Sequence, residues 1–244
     1  MPAMRRGFPF LLSLLLSGCG CEPAPAPKPP PPRPAPVLHP ETAPVPSAPG
    51  GADMILDSFD GKVGEPPSGW YAGSGHWVLA EDASAARGPS VLKQDAPAQP
   101  WAVLLKDGVY AGDLSVQVRF KPVSGEEDAS GGLILRAQDA QNYYLCRANA
   151  LEGNFRLYLV KDGKRETLES ADVTAPGKGT WHVLQMEVSG MEIRCGLDGK
   201  TLLTHRLEGS AWPRGRTGLW TKADSVTEFD DFQVVRVPQE GGKP

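Results

Sequence analysis

Several features that mark common chemistries are scarce in this chain. It has 4 cysteines and 4 histidines in 244 residues. Cys19 and Cys21 lie close together, while Cys146 and Cys195 stand far apart. That separation excludes a CxxC metal knuckle, and four scattered histidines argue against zinc. An excess of positive charge is also missing: the formal net charge is −4. A nucleic-acid partner normally demands a basic face, so that class is set aside. The apolar run from Phe8 to Leu16 is far short of the roughly 20 residues that a membrane-spanning helix needs. No stretch repeats its apolar residues with a helical period. What the chain has in plenty is proline, 25 in all, of which 13 fall between Pro23 and Pro49. The other ten beyond residue 50 are an ordinary share for a folded domain.

The first 50 residues therefore read as delivery. Arg5 and Arg6 precede the short apolar run, as in a secretory signal. The run ends in Leu16-Ser17-Gly18-Cys19, the order of a bacterial lipobox, with Cys19 as the lipidated and new N-terminal residue. Gly20 follows where an aspartate would signal inner-membrane retention, so the expected location is the outer membrane. Residues 1–18 are then the signal peptide, and residues 19–50 the lipidated cysteine and a proline-rich tether. Proline fixes φ and donates no N–H, so Glu22 to Pro49 is expected to be a disordered, stiff spacer.

Residues 51–244 read as one all-β domain with 21 basic and 27 acidic residues. Leu114 to Phe120 and Asn154 to Leu159 alternate apolar and polar residues strictly. Trp181 to Val188 and Met191 to Leu197 do so more weakly. A period of two marks strands with one buried face. Asp107-Gly108, Asp162-Gly163, Ser189-Gly190 and Asp198-Gly199 supply hairpin chemistry between the runs.

The alternation also sorts faces. Leu133, Leu135, Tyr144, Cys146, Ala148, Phe155, Leu157 and Leu159 are expected in the core. Arg136, then Tyr143, Arg147 and Asn149, then Asn154, Arg156 and Tyr158 are expected together on the opposite face. Two readings follow. Arginines, amides and phenol rings suit a polyhydroxylated ligand, and the same residues are ordinary on a solvated sheet. As outward ligand-binding residues, Arg147 and Arg156 are expected to weaken ligand binding on replacement by alanine, with little loss of stability; unfolding of both variants would mark them as structural. Cys146 and Cys195 both count as core-facing, as a disulfide or as two buried thiols. Trp220 is either a stacking platform or a core residue.

The runs Asp139-Ala-Gln-Asn-Tyr-Tyr144, Arg147-Ala-Asn149 and Leu151-Glu-Gly-Asn-Phe-Arg-Leu-Tyr158 resemble the 3-keto-disaccharide hydrolase-type jelly-roll family. So do Leu197-Asp-Gly-Lys200, Gly218-Leu-Trp-Thr-Lys-Ala-Asp-Ser225 and Phe229-Asp-Asp-Phe232. The resemblance spans about Ile55 to Val237. It implies a concanavalin A-like jelly-roll sandwich of two antiparallel sheets, with a carbohydrate ligand on a concave face. Lys222 joins the candidate ligand-binding residues from these runs. The resemblance leaves three roles open: an envelope-anchored carbohydrate-binding lipoprotein, a hydrolase or lyase of 3-keto-glycosides, or a laminin-G-like protein-interaction module. For catalysis, Arg136, Arg147, Arg156 or Lys222 would polarise an oxygen, with Glu152 or Asp224 as base. The paired-carboxylate strand E-x-D-x-x-E of family-16 hydrolases does not occur. The superfamily also implies a structural calcium near the joined termini, with Asp57, Asp60 and Asp231 as candidate ligands. The alternative is that these aspartates serve turns.

Overall fold

The computed structural model describes residues 53–209 and 212–236. The signal peptide, Cys19 and the tether lie outside the described residues.

All described regular structure is strand. The chain runs through β1 (Asp53–Asp57), β2 (Trp70–Ser74), β3 (Trp77–Glu81), β4 (Ser90–Gln94) and β5 (Ala98–Lys106). There follow β6 (Leu114–Ser124), β7 (Ser130–Asp139), β8 (Asn142–Asn149), β9 (Asn154–Lys161) and β10 (Lys164–Asp172). The last five are β11 (His182–Ser189), β12 (Glu192–Leu197), β13 (Lys200–Arg206), β14 (Arg216–Ala223) and β15 (Val226–Arg236). The strictly alternating runs become β6 and β9, and the weaker pair become β11 and β12.

Two antiparallel sheets form. The first has the order β13-β12-β11-β6-β15-β4-β3, with β1 also pairing β15. The second has the order β10-β9-β8-β7-β14-β5-β2. This is the expected jelly-roll sandwich. Asp162-Gly163 and Asp198-Gly199 make two-residue hairpin turns, with positive φ at all four residues. Asp107-Gly108 does not close a hairpin. It ends β5 in the second sheet, and the chain then crosses to β6 in the first.

The inner faces of both sheets form one apolar core. Phe120, Leu184, Met186 and Phe229 of the first sheet meet Leu133, Cys146, Phe155 and Leu219 of the second. Burying each large apolar side chain contributes about 1.5–3 kcal/mol, which drives the sandwich together. Cys146 and Cys195 are free thiols within this cluster. The inward assignments of Tyr144, Cys146, Ala148, Phe155 and Leu157 hold.

Candidate functional site

The other face of the second sheet carries its own buried cluster: Val103 and Leu105 from β5, Ile134 and Ala137 from β7, Tyr143 and Leu145 from β8, Tyr158 and Val160 from β9, and Trp220 from β14. A solvated sheet face would alternate to polar residues here. The register builds the face as rows across the strands. One row runs Arg156–Arg147–Gly132–Trp220–Val103, and the next runs Tyr158–Leu145–Ile134–Gly218–Leu105–Tyr71.

Curvature explains the burial. Five strand steps of about 4.8 Å would separate β10 from β5 by about 24 Å in a flat sheet. Yet the Arg165 guanidinium of β10 stands 5.9 Å from the Trp101 ring of β5. It also lies 4.4 Å from the Tyr158 ring centre and 5.8 Å from that of Trp220. Trp101 and Trp220 are 6.1 Å apart at their centroids. The two rims thus bend toward each other, and Arg165 and Trp101 roof a concave face. Tyr143 and Trp220 are 0% exposed beneath them, and Tyr158 is 2% exposed. At the far end, Gly73 of β2 packs on the β7–β8 turn so closely that a Cβ would meet the Ala140 Cβ at 2.5 Å. A cavity of about 550 Å³ opens there, floored by Leu105 and lined by Tyr71, Asp107, Asp139 and Arg216. Tyr71 is 58% exposed at its mouth.

Buried polar atoms without a hydrogen-bond partner concentrate on this face. Among the described residues there are eleven. By strand alternation, seven of them face the concave side: Ser130 Oγ, Tyr143 Oη, Arg147 Nε, Asn149 Nδ2, Tyr158 Oη, Arg165 Nη1 and Trp220 Nε1. Trp220 lies beside the Tyr143 hydroxyl and Arg156 beside that of Tyr158, in poor hydrogen-bond geometry, so the fully orphaned atoms are Ser130 Oγ, Arg147 Nε, Asn149 Nδ2 and Arg165 Nη1. Such orphans are few in folded proteins, and each costs about 1–3 kcal/mol. Burial pushes the Tyr143 hydroxyl well above its ordinary pKa, partly offset by Trp220 and Arg165 beside it.

One end of the face is a charge network. Arg147, 1% exposed, donates from Nη2 to Glu152 Oε2 and to Asn154 Oδ1, each at 2.8 Å. Its Nη1 stands 3.6 Å from the buried Asp128 carboxylate, which Lys222 approaches at 3.3 Å. Burial pushes the Glu152 carboxyl up, but Arg147 and Asn154 outweigh it and hold the pKa at about 2. Asn149 accepts the Leu151 N–H with its Oδ1, a turn contact. Arg156 is half-buried, and its pKa is raised chiefly by the Tyr158 hydroxyl next to it.

The structure therefore brings Tyr143, Arg147, Asn149, Asn154, Arg156, Tyr158 and Lys222 together on one face. It does not bring Arg136 there. A register shift between Leu135 and Asp139 interrupts the alternation, and Arg136 takes a positive φ of 49°. Its side chain turns to the end of the sandwich, donating to the Gly190 carbonyl at 2.8 Å beside Asp113 at 3.6 Å. Trp220 belongs to the concave face, so it is neither in the inter-sheet core nor an open platform. Arg165 and Trp101 were not apparent from the sequence. Arg165 is the second residue of a strand with a register shift and no clean alternation.

The two candidate bases are engaged elsewhere. Glu152 is ion-paired, and the Asp224 carboxylate accepts the backbone N–H groups of Glu126, Asp128 and Glu127, which hold its pKa at about 2. Carboxylates this acidic are poor proton acceptors near neutral pH. The aspartates proposed for calcium do not fit that ion as a set. Asp57 accepts from Trp70 Nε1 at 2.8 Å and pairs with Lys106 at 2.9 Å. Asp231 pairs with Arg87 at 2.8 Å and Arg119 at 3.6 Å, and Asp60 accepts from Ser58. Among the described residues no three or more potential metal-ligating side chains gather.

No family model and no curated protein matches the chain. Its fold is shared with solved structures at low identity. The carbohydrate-binding module CBM66 from Bacillus subtilis matches with a TM-score of 0.57 at 17% identity, over 68% of this chain and 94% of that one. The laminarinase from Rhodothermus marinus matches with a TM-score of 0.55 at 13% identity, over 76% and 97%. The carbohydrate recognition domain of Emp47p matches with a TM-score of 0.51 at 12% identity, over 75% and 94%. These likenesses establish the jelly-roll sandwich.

Proposed function

We propose that this chain is a carbohydrate-binding lipoprotein of the bacterial outer membrane. The ligand lies on the concave face of the second sheet, and Cys19 carries the lipid at the end of the proline-rich tether. The observation that carries the reading is the coincidence of four aromatic side chains (Trp101, Tyr143, Tyr158, Trp220) with seven buried polar atoms that make no well-formed hydrogen bond, on one curved face. Sugars offer both an apolar ring face for stacking and a rim of hydroxyls, which is the complement of that surface. The named neighbours, a carbohydrate-binding module, a laminarinase and a carbohydrate recognition domain, support the same ligand class. The cavity at Tyr71 is the point of entry.

Binding without turnover is favoured over hydrolysis of 3-keto-glycosides because Glu152 and Asp224 are both committed to structural partners. The test is titration of the full chain, purified in detergent, with a panel of oligosaccharides while tryptophan fluorescence is followed, alongside an assay for sugar release from a 3-keto-glucoside. Saturable binding without release is expected. No response to any glycan would overturn the reading, and release of sugar would replace it with the enzymatic one.

A further inference from the structure

The chemistry of the orphan atoms narrows the ligand. Of the seven on the concave face, four are obligate donors: Arg147 Nε, Arg165 Nη1, Asn149 Nδ2 and Trp220 Nε1, the last with the Tyr143 hydroxyl beside it. The other three are hydroxyls, which donate or accept. None is an obligate acceptor. A neutral sugar hydroxyl both donates and accepts, so a face built for neutral sugars alone would present both kinds of partner. This face presents a surplus of N–H groups, two of them on guanidinium groups.

The charges point the same way. Asp128 and Glu152 are already matched by Arg147 and Lys222. Arg165 forms no ion pair among the described residues. Its guanidinium is held only over the rings of Tyr158, Trp220 and Trp101. A partly buried cation without an anion is costly, and cation–π contact offsets only part of that cost. The guanidinium fork matches a carboxylate in a bidentate geometry that no carboxylate on this face supplies to Arg165. Among the described residues the Arg165 side chain makes no hydrogen bond, so ring contacts alone hold it. An anion that paired with the guanidinium would compete with these ring contacts, and drawing it off them would uncover Tyr158 and Trp220.

Resting on the carbohydrate-binding reading, we propose that the concave face binds an acidic saccharide, one whose sugar ring carries a carboxylate. Arg165 is its specificity-determining partner. The ring stacks on Trp220 beside Trp101, in the space that the Arg165 guanidinium fills over these rings, and the carboxylate pairs with the Arg165 fork. Further residues of the same saccharide chain extend toward the cavity at Tyr71, which Asp107, Asp139 and Arg216 line.

The experiment uses a pair of probes that differ in charge. The full chain is titrated with tri-galacturonate and with its fully methyl-esterified form, which keeps every ring and hydroxyl but loses the charge. The acid is expected to bind about tenfold or more tightly than the ester, with an affinity that falls as salt is raised. Alginate and glucuronate oligosaccharides are tested the same way, so that one wrong sugar does not decide the outcome. Arg165→Gln is expected to erase the preference for the acid, and Arg165→Lys to keep part of it. Equal affinity for acid and ester across all three sugars, or an acid preference that survives Arg165→Gln, would overturn the proposal and leave neutral carbohydrate binding standing. Binding of sulfated dextran oligosaccharides as tight as that of the best uronate would overturn the carboxylate assignment. A lack of binding to acidic, esterified and neutral oligosaccharides alike would overturn the carbohydrate reading itself.

Discussion

The Arg165 guanidinium sits 4.4 Å from the centre of the Tyr158 ring. These residues occupy neighbouring strands, but the guanidinium also reaches Trp101 from the opposite side of the sheet. Arg165 is therefore the roof of the concave face. Arg165→Ala is expected to expose Trp220 and Trp101 to solvent. The checks are a red-shifted tryptophan emission and stronger acrylamide quenching. The stability change is expected to stay within about 2 kcal/mol, the scale of a desolvated cation–π contact.

Arg147 and Arg156 face the same side but differ in burial, so their removal should differ in effect. Arg147→Ala leaves the buried Asp128 with Lys222 and the Ser225 hydroxyl and removes three polar contacts. The expected loss is about 3–5 kcal/mol, as for a broken buried ion pair. Arg156→Ala, at a half-buried position without an ion pair, is expected to cost less than about 1 kcal/mol. Urea unfolding midpoints of the two variants test this contrast. Equal small losses would mean that Arg147 is as dispensable as a solvated side chain.

Acid should destabilise the fold through carboxylates with depressed pKa values. Glu152, Asp82 and Asp224 all lie at about 2 in the folded chain, below their ordinary values of 4.5, 3.8 and 3.8. A group with a lowered folded pKa stabilises above its unfolded pKa and loses that contribution as pH falls through the folded value. Unfolding midpoints are therefore expected to be level above about pH 5 and to fall between about pH 4.5 and 2. Glu152→Gln should flatten part of that fall. A midpoint independent of pH across this window would contradict the ion-pair network.

Gly132 sits between Arg147 and Trp220 in the central row, and a Cβ there would lie 2.7 Å from Leu145 Cδ1 and 3.1 Å from the Cys146 carbonyl oxygen. Gly132→Ala is expected to cost about 1–3 kcal/mol by overpacking, read from thermal or urea unfolding. A neutral substitution would mean that the floor of the concave face is looser than the structure shows.

Cys146 is a buried free thiol whose pKa is pushed up by burial and by Cys195 beside it. Both thiols are expected to resist a disulfide-exchange reagent in the native state and to react only as the protein unfolds. Rapid labelling of folded protein would contradict this packing.

The fold was largely legible because jelly-roll strands alternate, and alternation survives in sequence. The inward residues from Tyr144 to Leu157 and the Asp-Gly hairpins at 162–163 and 198–199 follow directly from it. The face opposite was assigned correctly for Tyr143, Arg147, Asn149, Asn154, Arg156 and Tyr158, yet its burial was not visible. Burial there depends on the bending of seven strands, which no local pattern records. Ile134, Leu145 and Val160 were the available hint, since apolar residues recur on what would otherwise be a solvated side. Arg136 was misassigned because one register shift in β7 breaks the count after Leu135. Arg165 was missed because its contacts with Trp101 and Trp220 come from strands far apart in sequence.

The most direct test is a crystal structure of the chain with a bound uronate oligosaccharide. The expected result is a sugar ring over Trp220 on the second sheet, within hydrogen-bond distance of Trp220 Nε1 and Tyr143 Oη, with Arg165 turned away from Tyr158 toward the carboxylate. A saccharide bound on the first sheet, with Arg165 still stacked on Tyr158, would contradict the assignment of the concave face as the binding site.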